Sequence, residues 1–178
     1  MPGGGKSTAG RQIAKRTQRR FIDSDAVIEA RIGEPIRSFF EREGESRFRD
    51  LEAEVIDELS HAGPMVIATG GGAVLRAENR TRLHGRCDVV YLRSTPEELY
   101  RRLRHDTQRP LLQVADPLAR LRELYQQRDP LYRETAHFVI DTGRPTVHTL
   151  VNMVLAQLQL AGILVLTDDA GSEPSPPH

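Results

Sequence analysis

Residues 3–8 read Gly-Gly-Gly-Lys-Ser-Thr, and no other stretch limits the possible folds as strongly. A glycine run lets backbone N–H groups approach an anion closely, because no Cβ stands in the way. The lysine brings positive charge to the same anion, and the serine hydroxyl suits a Mg²⁺ ion held on phosphates. From Ser7 to about Thr17 the apolar residues Ala9, Ile13 and Ala14 recur at helical spacing. A helix there points its positive end at the glycines. The pattern predicts a nucleotide's phosphates on Gly3, Gly4, Gly5, Lys6, Ser7 and Thr8. A full phosphate loop also carries a glycine five positions before Gly5, preceded by a buried strand. The expectation is therefore a fold whose first, buried strand is missing from this chain, with Met1 a loop residue and not the natural start.

The rest alternates short apolar runs with helical patterns. Strands are expected at Arg20–Asp23, Met65–Ala68, Asp88–Leu92 and His137–Ile140, from the apolar residues clustered in each. Helices are expected over Val27–Ile32, stopped by Gly33, and Ile36–Glu43, stopped by Gly44. Others are expected over Ser46–His61, Arg76–His84, Pro96 to about Arg104, Pro117–Arg128 and Val147–Leu160. Thr95-Pro96-Glu97-Glu98 is a strong helix start, with a capping hydroxyl, proline at the first position and acids in the first turn. Such alternation predicts an α/β fold with a mostly parallel sheet and helices on both faces. One domain is expected over 1–162, with a lid at about 105–116. A disordered tail is expected over 163–178, although Ile163-Leu164-Val165-Leu166 leaves open a contact with the body.

Composition removes several classes of function. Lys+Arg and Asp+Glu both number 25, so the basic excess of a nucleic-acid binder is absent. The single cysteine, Cys87, allows no internal disulfide framework or cysteine metal cluster, and its apolar surroundings suggest a buried, inert thiol. No apolar run is long enough to span a bilayer, and no signal peptide is seen, so a cytoplasmic location is expected.

Four groups of residues carry possible chemistry. Asp23 and Asp25 end the first strand. They suit a helix cap equally with a division of labour, one acid near the metal and the other accepting a proton from an attacking hydroxyl. Thr69-Gly70-Gly71-Gly72 follows an apolar strand; three glycines exceed the needs of a turn and suggest close approach of a small molecule. Arg49, Arg109 and Arg128 are either solvated surface residues or a set that grips a carboxylate bidentately and steadies a phosphoryl group. His61, His84, His105, His137 and His148 show no metal-ligand spacing. From the residues alone the chain reads as a small P-loop phosphotransferase or an NTPase, acceptor unspecified.

Taken in order, the motifs resemble shikimate kinase, a family of the nucleoside-monophosphate-kinase-like P-loop folds. The resembling stretches are Gly-Gly-Gly-Lys-Ser-Thr at 3–8, Phe-Ile-Asp-Ser-Asp at 21–25 and Phe-Arg-Asp-Leu-Glu at 48–52. They continue with Ala-Thr-Gly-Gly-Gly-Ala at 68–73, Val-Val-Tyr-Leu at 89–92, Arg-Pro-Leu-Leu at 109–112 and Arg-Asp-Pro-Leu-Tyr at 128–132. The resemblance implies a three-layer P-loop sandwich, its missing first strand the central one, that phosphorylates the 3-hydroxyl of shikimate from ATP and Mg²⁺, a step toward chorismate and the aromatic amino acids. By position, Ser7 would ligate Mg²⁺ and Asp23 would contact it through water. Asp25 would hold the shikimate hydroxyls as base or orienter, and Arg49 and Arg128 would grip the carboxylate. Gly70, Gly71 and Gly72 would line the ring, and Arg109 would close on the phosphates. Arg102 would flank adenine, with Arg144 and Pro145 on its other side. A monomer acting on a small molecule, with no nucleic-acid or membrane partner, is implied. A gluconate-kinase-like enzyme and a non-catalytic module that kept the fold are the competing readings.

Overall fold

Glycines and capping side chains cut the chain almost where its apolar pattern changes period. In the computed structural model, residues 6–105, 113–143 and 146–165 are described. The elements are α1 (Lys6–Arg16), β1 (Arg20–Asp23), α2 (Ser24–Ile32), α3 (Ile36–Glu43), α4 (Glu45–His61) and β2 (Met65–Ala68). They continue with α5 (Ala77–Arg86), β3 (Val90–Arg93), α6 (Pro96–Leu103), α7 (Pro117–Thr135), β4 (Phe138–Asp141) and α8 (Val147–Leu160). Gly33 ends α2 at φ 69° and Gly44 ends α3 at φ 86°, backbone that a side chain disfavours. The start of α6 is a full capping box. The Thr95 hydroxyl accepts from the Glu98 amide at 3.2 Å, and the Glu98 carboxylate accepts from the Thr95 amide at 2.9 Å.

The helix expected to stop at Arg128 instead runs to Thr135, straight through Pro130. Proline removes one hydrogen bond from a helix interior. Here the buried side chains of Leu121, Leu124, Tyr132 and Thr135 lie on both sides of it. Packing before and after the proline therefore holds one continuous helix. The outcome matters for the site, because Arg128 and Tyr132 become neighbours one turn apart on a single helix.

Among the described residues all strand pairing is parallel, as expected for this alternation. β1 pairs with β2, with Arg20 opposite Met65 and Asp23 opposite Ala68. β3 pairs with β4, with Val90 opposite Phe138 and Arg93 opposite Asp141. Among the described residues these are two separate two-stranded sheets. A cavity of about 500 Å³ lies between them, lined by β2 and β3 residues such as Val66, Ile67, Tyr91 and Leu92. Ala9 and Ile13 of α1 line it on one side, and Leu83 of α5 and Tyr132 of α7 also face it.

The core is built in patches around these sheets. Val151, Val154, Leu155 and Leu158 of α8 pack with Ala9 and Ile140, and Leu164 joins them at 9% exposure. Ile163 packs against the same patch. Ile163 and Leu164, for which the sequence left a contact with the body open, thus bury apolar surface against this patch. A second patch joins Val74, Tyr91, Leu99, Leu121, Leu124 and Tyr132. Cys87 is half-buried beside the cavity, and burial followed by the Asp88 charge pushes its thiol above the ordinary value.

Candidate functional site

The site begins where α1 starts. Lys6 is the first residue of α1, and Ser7 follows in the first turn. The Ser7 hydroxyl donates to Asp23 Oδ2 at 3.0 Å. The other oxygen, Asp23 Oδ1, accepts from the Asp25 amide at 2.9 Å and the Ala26 amide at 3.4 Å. Asp23 therefore caps α2 through one oxygen and meets the Ser7 hydroxyl through the other. Hydroxyl and carboxylate oxygens are hard donors of the kind Mg²⁺ takes, so Ser7 and Asp23 together fit that ion.

Asp25 lies in the first turn of α2 and meets the triglycine turn. A Cβ on Gly70 would fall 2.7 Å from Asp25 Oδ1, so only glycine admits the carboxylate at this distance. Burial first, and then the Asp23 charge, raise the Asp25 carboxyl above its ordinary value, with Lys6 acting in the opposite sense. Burial lowers the Lys6 ammonium below its ordinary value, against the pull of Asp25. The pair thus shares a poorly solvated space in which each group's charge affects the other.

Arg49 reaches the far end of the same turn. A Cβ on Gly72 would collide with its guanidinium. Arg49 Nη1 donates to Glu52 Oε1 at 2.8 Å, and its side chain is 13% exposed against 2% for that of Glu52. Burial raises the Glu52 carboxyl, outweighing the lowering by Arg49. Glu52, which lies on α4 between the acids Asp50 and Glu54, is buried beside Arg49. The three-residue spacing within Phe-Arg-Asp-Leu-Glu was the signal that linked the two.

Arg128 enters from α7 on the side of Lys6, whose charge it opposes. Among the described residues, Arg49 Nε and Arg128 Nε are both buried with no hydrogen-bond partner. A buried guanidinium N–H without a partner is costly. Two such groups beside a carboxylate and a glycine turn form a place for an anion with hydroxyl groups. Arg102, in the last turn of α6, lies apart from this cluster. Its Nη2 donates to Gly143 O at 2.9 Å, and it approaches Ser94 and Thr142 at 3.4 Å. It therefore borders Thr142 and Gly143, just past the end of β4. Gly3, Gly4, Gly5, Arg109, Arg144 and Pro145 lie outside the described residues, as does most of the expected lid. Thr8 is described and exposed in the first turn of α1.

Comparison with known proteins extends the picture. The shikimate kinase family model matches residues 2–159. A shikimate kinase of Paracidovorax citrulli is 61% identical over 166 residues, covering 92% of this chain and 91% of that protein. One of Burkholderia thailandensis is 60% identical over 164 residues, covering 92% and 89%. Among solved structures, shikimate kinase from Acinetobacter baumannii in complex with shikimate superposes with a TM-score of 0.84 at 45% identity, covering 92% of this chain and 90% of that one. Shikimate kinase from Aquifex aeolicus gives a TM-score of 0.80 at 29% identity, covering 92% and 95%.

Proposed function

This chain belongs to the shikimate kinase family, and from that premise we propose how its residues divide the work of phosphorylating shikimate from ATP. The chain is a kinase of aromatic amino acid biosynthesis. The observation that carries the assignment of its acceptor site is the triglycine turn, with Asp25 against Gly70 and Arg49 against Gly72.

Arg49 and Arg128 hold the shikimate carboxylate, each offering a planar fork of N–H donors. Glu52 keeps Arg49 extended toward the turn. Asp25 accepts a hydrogen bond from the 3-hydroxyl and orients it, or takes its proton as the phosphoryl group arrives. Phosphoryl transfer needs positioning and charge neutralisation more than covalent help, and this set supplies both. Lys6, with Gly3 to Gly5 and Thr8, holds the ATP phosphates. Arg109 closes over them and excludes water. Arg102, with Arg144 and Pro145, flanks adenine. Mg²⁺, held by Ser7 and through water by Asp23, would neutralise phosphate charge. A body over 1–164, a lid near 105–116, a monomer and a cytoplasmic location complete the reading. Among the described residues, no helix is long and apolar enough to cross a membrane.

A phosphate-transfer assay offering ATP with shikimate or gluconate tests the function. Transfer to shikimate alone is expected, and it should vanish in Lys6→Ala. Transfer to gluconate, or to neither acceptor, would contradict the reading.

A further inference from the structure

The three glycines of the turn differ in what their carbonyl groups meet. The Gly70 carbonyl accepts from the Ala73 amide at 3.1 Å, and the Gly72 carbonyl accepts from the Leu75 amide at 3.1 Å. Both are local turn bonds. The Gly71 carbonyl is served from across the fold, by the hydroxyl of Tyr132 on α7. A peptide unit is planar and trans, so its C=O and the next N–H point in opposite directions. Fixing the Gly71 carbonyl on Tyr132 thus turns the Gly72 N–H away from Tyr132. Without such a hold, a peptide between two glycines has little resistance to reorientation.

Tyr132 is well placed to keep a fixed position. Its ring stacks on Tyr91 with centroids 4.8 Å apart. Tyr91 in turn donates to Asp129 Oδ1 at 2.9 Å, on the same helix as Tyr132. Burial raises the Tyr132 hydroxyl above its ordinary value, so it stays protonated and available as a donor. Arg128, one helical turn earlier, acts on this hydroxyl by charge and hydrogen bond.

We propose that Tyr132 is a positioning residue for the acceptor substrate: its hydroxyl fixes the 71–72 peptide and sets the spacing between the glycine turn and Arg128. This rests on the reading of that turn and Arg128 as the shikimate site. The ligand it serves is a hydroxylated carboxylate, whose ring lies on the turn while its acid group meets the arginine.

Tyr132→Phe removes one oxygen and keeps the ring stack. Tyr91→Phe removes the neighbouring buried hydroxyl without touching the turn, and so reports a purely structural effect. In Tyr132→Phe the KM for shikimate should rise about 3- to 10-fold, the range of one neutral hydrogen bond. The KM for ATP should stay within about twofold on the same basis, because the turn does not hold the nucleotide. Amide exchange at residues 70–72 should quicken, and Tm should fall no further than in Tyr91→Phe. An unchanged shikimate KM would overturn the proposal. So would a Tyr132→Phe chain that fails to fold, or one in which both KM values move together with a larger loss of Tm, since these mark a structural role. Wild-type chain assayed alongside separates the two claims: failure to phosphorylate shikimate at all would remove the assigned function first, and this role with it.

Discussion

The Ser7 hydroxyl donates to the Asp23 carboxylate at 3.0 Å, tying the first turn of α1 to the end of β1. The bond joins two residues 16 positions apart, and it brings a hydroxyl and a carboxylate together where the phosphate loop meets the sheet. Asp23→Asn keeps the shape and can still cap α2, but it removes the charge facing a metal ion. The Mg²⁺ concentration needed for half-maximal rate should rise about tenfold, as for loss of an outer-sphere partner. Titrating the transfer rate with Mg²⁺ checks this, and an unchanged dependence would argue against Asp23 as a metal partner.

Asp25 should give the reaction its acid limb. It has to be ionised to accept a proton or orient the hydroxyl, and burial together with Asp23 raises its pKa above the ordinary 3.8. Activity should therefore fall, as pH is lowered, at a pH above that ordinary value. The linkage runs the other way for stability. A carboxyl with a raised folded pKa binds its proton more tightly in the folded chain than in the unfolded one, so its stabilising contribution is lost as pH rises through that folded pKa. Asp25→Asn should lower kcat by about 10²–10⁴ and raise Tm at neutral pH. A pH–rate profile and a thermal melt test the two halves separately.

Gly72 leaves no room for a Cβ because the Arg49 guanidinium occupies that space. Gly72→Ala should push Arg49 off the turn and away from Glu52. The KM for shikimate should rise by about tenfold or more, the scale of one charge-assisted bond, while the KM for ATP changes little. Steady-state kinetics with each substrate varied in turn shows whether the loss is confined to the acceptor.

Most of the architecture was legible from local signals. Gly33 and Gly44 marked helix ends, and the Thr95–Glu98 capping box marked a start. The four apolar runs became strands because each is short and bounded by polar or glycine residues. The end of α7 was not legible, since Pro130 is a local stop signal that packing on both sides overrides. Within the site, Lys6, Asp25, Arg49 and the glycines stood out by residue type and order. Glu52 and Tyr132 did not. A glutamate among Asp50 and Glu54 looks solvated until the helix is placed against the turn. A tyrosine hydroxyl has no sequence period that reveals a carbonyl 61 residues away.

The most direct test of the account is the shikimate KM of Arg128→Ala, measured beside its KM for ATP. Losing a charge-assisted hydrogen bond of ~1.5–3 kcal/mol should raise the shikimate KM by about 10- to 100-fold and leave the ATP KM within about twofold of wild type. An unchanged shikimate KM would contradict the assignment of Arg128, and with it the acceptor site built around Gly70 to Gly72.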